Sequence, residues 1–247
     1  MHRIRAQIME KLRLIEAEHG VKIPLAVESG SRAWGFASPD SDYDCRFVYV
    51  RPESEYLSVF ERKDTIDYTP DAVFDLGGWD LKKFIQHLVK SNAVAHEWLQ
   101  SNEIYRRDDA VADRLWTLGQ AFFNPVSTSW HYLSMAKKKL ADIEAKNAAK
   151  MKTYFYVMRP LACARFIREQ GGVPFMEYRR NLEGIDVPAR IRDELDMLML
   201  KKARTDESEL LAQNRILIDY FKQELDEAEL WLKAARHEKL EPSQNII

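Results

Sequence analysis

The hydrophobic pattern of this chain changes period once, and that change limits what it can fold into. Ile4, Ile8, Leu12 and Ile15 recur at spacings of four, four and three, which predicts an opening helix that stops at Gly20. Short β-forming runs follow: Val21–Val27, Asp42–Val50, Thr65–Tyr68 and 72–76, the last two separated by Thr69-Pro70-Asp71. From Trp79 onward the pattern is helical and stays so. Asp80 stands where an N-cap belongs, and Leu81, Phe84, Ile85, Leu88 and Val89 form one apolar stripe. Trp79 and Phe84 then occupy the two ends of a hydrophobic staple.

Further helices are expected around Ala93–Gln100 and Ala110–Phe123. A long one opens at Ser127 or Thr128 and runs to about Lys150. Another covers Met151–Gln170, kinked at Pro160 and stopped by Gly171-Gly172, and a last amphipathic helix carries Leu210, Leu217, Phe221, Leu225, Ala228 and Leu232. The tail after Leu240 reads as frayed. Asn124-Pro125 breaks the pattern and marks the expected domain boundary, giving domains 1–124 and 125–247. The fold class is therefore α+β: a small mixed sheet of about four strands with helices, followed by an all-helical domain.

Composition narrows the classes of function. No apolar run approaches the roughly 18 residues that span a bilayer, and Met1-His2-Arg3-Ile4-Arg5 leads into an amphipathic pattern, not an apolar signal core. Two cysteines, Cys45 and Cys163, exclude a disulfide framework and fit a cytoplasmic protein. No His-x-x-x-His or Cys-x-x-Cys spacing offers a zinc site, and no Gly-Lys-Ser/Thr loop marks a P-loop ATPase. His87, His96 and His131 fall within helical patterns and read as structural or surface histidines. The net charge of −2 hides an asymmetry. Glu28–Asp80 holds 12 acidic and 5 basic residues, whereas His131–Arg180 holds 11 basic and 4 acidic. Such runs are commonly solvated faces; they also suit an acidic metal-binding half and a basic half, with a polyanionic substrate shared by both.

The chemistry concentrates in Glu28-Ser29-Gly30-Ser31-Arg32-Ala33-Trp34-Gly35-Phe36-Ala37-Ser38-Pro39-Asp40-Ser41-Asp42-Tyr43-Asp44. Asp42 and Asp44, two apart on a predicted strand, project from one face. Carboxylates so close repel each other, and a hard divalent cation, magnesium or manganese, relieves that cost. Gly30 permits close backbone approach to a phosphate, Ser31 adds a hydroxyl and an amide, and Arg32 suits bidentate phosphate contact. A lone Asp-x-Asp or a lone Gly-Ser is usually just an exposed strand or a turn; the string of strand, Gly-Ser, ten residues and Asp-x-Asp on a second strand is far more specific.

That string resembles the signature of the DNA polymerase beta-like nucleotidyltransferase superfamily, and in particular the predicted nucleotidyltransferases associated with RNA ligases in RNA repair operons. Gly78-Trp79-Asp80-Leu81-Lys82-Lys83, Lys90-Ser91-Asn92, Glu97-Trp98-Leu99 and Tyr154-Phe155-Tyr156-Val157-Met158-Arg159-Pro160-Leu161 look like that branch too, so the resemblance covers roughly residues 28 to 180. It implies a third carboxylate on a later strand. Asp75, embedded in Val73-Phe74-Asp75-Leu76, fits best, and Asp67 is the alternative. It also implies basic residues from the helical half at the nucleotide. Lys152, Tyr156 and Arg159 share a helix face by spacing; the aromatics around them read as core, and Arg159 reads equally as a solvated arginine. The expected activity is transfer of a nucleotide from a nucleoside triphosphate to a hydroxyl, releasing pyrophosphate. An RNA end is the expected acceptor; a protein or small-molecule acceptor, or a non-catalytic nucleotide- or RNA-binding module, are the alternatives.

Overall fold

The computed structural model describes residues 2–71, 73–146, 148–204 and 209–237. The chain forms two compact units. One runs from the N-terminal helix to Phe123 and takes in Phe175–Glu177; the other comprises Asn124–Pro174 and resumes at Tyr178.

The first unit is built on a sheet. Helix α1 (His2–His19) leads into β1 (Lys22–Ser29), followed by the single turn α2 (Ser31–Trp34), β2 (Tyr43–Val50), α3 (Glu53–Tyr56), β3 (Thr65–Tyr68) and β4 (Phe74–Asp80). Helices α4 (Leu81–Val89) and α5 (Ala93–Gln100), strand β5 (Ile104–Arg107) and helix α6 (Asp109–Ala121) complete it. The strand order is β3-β4-β2-β1-β5. β2 and β4 run parallel, and the other pairs are antiparallel.

Both faces of the sheet carry a core. Ile8, Leu12 and Ile15 of α1, all fully buried, pack on one face with Ala26, Cys45, Phe47, Tyr49 and Leu76. On the other face Leu25, Val27 and Val48 meet Phe84, Leu88, Ala95, Trp98 and Leu115. Each such side chain contributes roughly 1.5–3 kcal/mol on burial. Phe47 fits because its register partner on β4 is Gly78, where a Cβ would overlap the ring. The Asp80 carboxylate caps α4 by accepting from the Lys82 amide at 2.8 Å, and the Trp79 and Phe84 rings lie 6.3 Å apart as the staple requires.

Four differences from the sequence expectation have local causes. β1 extends through Glu28 and Ser29, because each pairs in register with β2. β2 begins at Tyr43, not Asp42. β4 continues past Leu76 through Gly77-Gly78 to Asp80, because β2 and β3 flank it on both edges. A fifth strand, β5, pairs with β1 at the sheet edge. The 72–76 candidate strand opens at Ala72, which lies outside the described residues.

The second unit comprises α7 (Pro125–Glu144), β6 (Ala148–Lys150), α8 (Met151–Gln170), α9 (Tyr178–Glu183), α10 (Ala189–Lys202), β7 (Leu210–Ala212) and α11 (Arg215–His237). It is helical apart from the three-residue antiparallel β6–β7 ribbon. α7 starts two residues earlier than expected, because Asn124 caps it through the Ser127 amide (2.9 Å) and Pro125 takes the first-turn position where no amide is needed. It ends at Glu144, where the chain turns into the ribbon. α8 spans the expected residues, holds Pro160 inside it and stops at Gly171, whose φ of +70° is left-handed. The frayed tail expected after Leu240 lies outside the described residues. No described helix is long and apolar enough to cross a membrane.

Candidate active site

Asp44 is the pivot of the site, and three strands position it. Its β1 partner is Ser29 and its β4 partner is Asp75. Register partners on adjacent strands share a face, so Asp44 and Asp75 project together at the end of the sheet where β2 and β4 begin. Gly30 closes the space beside them. Its φ is +81°, and a Cβ there would overlap the Asp44 carboxylate. The glycine of the Gly-Ser pair is thus required twice, by conformation and by room.

The two carboxylates converge on one positive centre. Arg46 Nη2 donates to Asp44 Oδ1 at 3.2 Å and to Asp75 Oδ2 at 2.6 Å. Thr69 Oγ1 donates to the other Asp75 oxygen at 3.2 Å. Behind Asp44 stands Glu28, 1% exposed, whose Oε1 accepts from the Asp44 amide at 2.9 Å. Tyr105 donates its hydroxyl to Glu28 Oε2. Burial pushes the Glu28 carboxyl up from 4.5 to about 7, against the lowering effect of those two donors, and burial beside Glu28 raises the Tyr105 phenol.

The loop between β1 and β2 is fastened from within. Ser31, 8% exposed, donates its hydroxyl to Ser41 Oγ at 3.2 Å, and Ser41 Oγ accepts from the Ser38 amide at 3.0 Å. Arg32 donates Nη2 to the Ser41 carbonyl (2.5 Å) and Nε to the Asp42 carbonyl (3.0 Å), with its guanidinium 3.9 Å over the Tyr43 ring. The side chain expected to meet phosphate therefore holds the backbone that leads into Asp44.

The sequence-predicted residues fall into three groups. Asp44, Asp75 and Gly30 are brought together. Asp42 is exposed and lies one residue ahead of β2; among the described residues no group of three or more His, Cys, Asp or Glu side chains assembles as a metal site. What does assemble is a pair of carboxylates already gathered around a cationic nitrogen, a donor set of the kind a hard divalent ion accepts. Asp67, the alternative third acid, is exposed on the edge strand and paired with Lys63 at 3.0 Å. Lys152 and Arg159 belong to the second unit, on α8, the former half-buried and the latter 2% exposed. His96 is structural, its ring nitrogens 2.9 and 3.0 Å from the carbonyls of Asn92 and Gly119.

A model of the RNA repair pathway DNA polymerase beta family matches residues 4–246. The chain belongs to that family. It is 34% identical over 238 residues to an uncharacterised protein, YcgL, of Bacillus subtilis (strain 168), an alignment that covers 96% of this chain and 90% of the relative. Among solved structures it is similar to a nucleotidyltransferase-like protein from Exiguobacterium sibiricum 255-15, at 13% identity and a TM-score of 0.33, over 92% of this chain and 75% of the other.

Three residues of the site in this family member, Glu28, Arg46 and Tyr105, were not expected from the sequence. Glu28 is written at the end of an apolar strand, Leu25-Ala26-Val27-Glu28, where a charge signals either a strand end or a buried partner. Arg46 alternates with Asp44 and so shares its face, the signal of an ion pair along one strand. Tyr105 is reached only through the β1–β5 pairing and leaves no local trace.

Proposed function

We propose that this protein is a nucleotidyltransferase that joins a nucleotide from a nucleoside triphosphate to an RNA end and releases pyrophosphate. The observation that carries the reading is the convergence of Asp44 and Asp75, in register on parallel strands, with the Asp44 carboxylate seated against Gly30, where no Cβ stands in its way. The acceptor oxygen bonds the α-phosphorus as the bond to the pyrophosphate oxygen breaks. Asp75 takes the acceptor's proton, and Gly30 and Ser31 present backbone to the triphosphate. A magnesium or manganese ion held by Asp44 and Asp75 would neutralise charge on the reacting phosphates. Arg32 supports the site by fixing the backbone of residues 41 and 42. Membership of an RNA repair family supports RNA as the acceptor.

The test is incubation with each labelled nucleoside triphosphate, magnesium and RNA, alongside the Asp44→Asn variant. Label on the RNA, lost in Asp44→Asn, supports the proposal. Label on the protein itself points to a protein acceptor instead. No transfer with any nucleotide and several RNA ends would sink it.

A further inference from the structure

Arg46 is tied to the site more tightly than a surface arginine. Its stem lies along its register partner Gly77, where a Cβ would stand 3.5 Å from the Arg46 side chain. From there Nη2 reaches both carboxylates, while Nη1 donates to the Asp75 carbonyl at 2.9 Å and to the Cys45 carbonyl at 3.2 Å. Exposed ion pairs contribute little because two long side chains must be ordered for one contact in water. Here the arginine is 24% exposed in its side chain, and both of its terminal nitrogens are engaged. A guanidinium stays charged at any working pH. The arrangement answers a local need: Asp44 and Asp75 sit on adjacent strands, whose spacing is about 4.8 Å, and without a cation they would repel each other.

The oxygens that Arg46 Nη2 touches are the ones through which the two acids converge. A divalent ion of magnesium size sits about 2.1 Å from its oxygen ligands, so it and a guanidinium nitrogen 2.6 Å from Asp75 Oδ2 cannot use that oxygen from the same side. We infer that Arg46 is the built-in counter-ion of the acid pair, and that it competes with the divalent cation for Asp44 and Asp75. This rests on the pair being the metal site. Arg46 is a positioning residue: it keeps the carboxylates side by side in the metal-free protein and raises the cation concentration needed to fill the site. Loading the site releases its guanidinium from both acids.

The experiment is a manganese titration of the full chain, with free Mn2+ read by electron paramagnetic resonance, on the native protein, Arg46→Met, Arg46→Lys and Asp44→Asn. Thermal unfolding of each is followed with and without Mn2+. Arg46→Met is expected to bind Mn2+ at least about tenfold more tightly. It is also expected to melt lower than the native protein without metal, and to gain more in Tm on adding it. If Arg46→Met does not fold without metal, Arg46→Lys carries the test, since a single ammonium cannot bridge both acids and hold both carbonyls; it too is expected to bind Mn2+ more tightly than the native protein. Mn2+ binding that Asp44→Asn abolishes but both Arg46 variants leave unchanged overturns the counter-ion role alone. Absence of Mn2+ binding in the native protein and in both Arg46 variants overturns the metal reading, and this inference with it.

Discussion

At the scale of single residues, the site divides acids by their surroundings. Asp75 lies opposite Asp44 and shares Arg46 with it, whereas Asp67 stands on the edge strand, 68% exposed, with Lys63 as its partner. Asp75→Ala should therefore reduce nucleotide transfer by two orders of magnitude or more, the scale on which a proton acceptor acts, while Asp67→Ala should leave it within about twofold. Initial rates at saturating nucleotide decide this, and the reverse ranking would exchange the two roles. The apolar strand context of Asp75 was legible in the sequence; the register that sets it against Asp44 was not, because pairing between β2 and β4 crosses thirty residues. Glu28 makes a separate prediction about stability. Its folded value of about 7 exceeds its ordinary 4.5, so between those values the folded chain binds more protons than the unfolded one. Its contribution to stability is then complete below about pH 4.5 and is lost as pH rises through about 7. Glu28→Gln keeps an acceptor for the Asp44 amide and removes the ionisation. The stability difference between variant and native protein should move in the variant's favour by about 3 kcal/mol from pH 4.5 to pH 8, at 1.36 kcal/mol per unit. Urea unfolding at a series of pH values measures it, and a difference that is flat with pH would deny Glu28 its ionisation in this window.

At the scale of elements, the structure honours its local signals wherever a cap or a period was strong. Asp80, Asn92 and Asn124 each accept from amides of the helix they precede, and the residues of α5 and α8 coincide with the expected spans. What was not legible is strand that lacks alternation. β5 reads Ile-Tyr-Arg-Arg and all four residues are half-buried, so no face stands out. β4 contains two glycines, which weaken strand propensity, yet one of them is where Phe47 packs. Asp80 shows how one residue can end a strand, begin a helix and close a corner. Its Oδ1 caps α4, while Oδ2 accepts from Tyr56 at 3.2 Å and lies 3.5 Å from Arg51 Nε. Loss of an N-cap costs about 1 kcal/mol, and leaving charged or polar partners unsatisfied adds about 1–3 kcal/mol. Asp80→Ala should then lower unfolding stability by about 2–4 kcal/mol, whereas Asp80→Asn, which keeps the cap acceptor, should lose roughly half as much. Chemical denaturation midpoints compare the two; equal losses would show that the cap itself contributes nothing.

At the scale of the whole molecule, the charge asymmetry seen in the sequence needs correcting for pairing. The excess of basic residues in His131–Arg180 counts neighbours in sequence, but the acids that neutralise several of these cations come from further along the chain. Lys137 pairs with Glu229 of α11, Arg165 with Glu224 at 2.5 Å, Arg168 with Glu227 at 3.2 Å and Arg179 with Asp196 at 3.4 Å. Lys139 pairs locally with Asp142 at 3.2 Å. The partners on α10 and α11 lie outside the window and are reached only once the helices pack, so a count along the sequence overstates the field available to a polyanion. For the proposed RNA acceptor this changes what Lys137-Lys138-Lys139 can do. Three lysines each neutralising a phosphate would steepen the salt dependence of binding by up to about three units, one per contact. Lys137 and Lys139 must first give up their carboxylates, whereas Lys138 is exposed on α7. Lys138→Gln should therefore flatten the slope of log affinity against log salt by about one unit or less, and replacing all three with Gln should add little beyond that. Nucleotide affinity should stay unchanged in both variants, because the proposed triphosphate contacts are Gly30 and Ser31. RNA binding measured by fluorescence anisotropy from 50 to 300 mM salt, roughly the range over which counterion release dominates, separates the outcomes. A loss near three units in the triple variant would show that RNA displaces the intramolecular acids. No change in either variant would take α7 out of the RNA-binding surface.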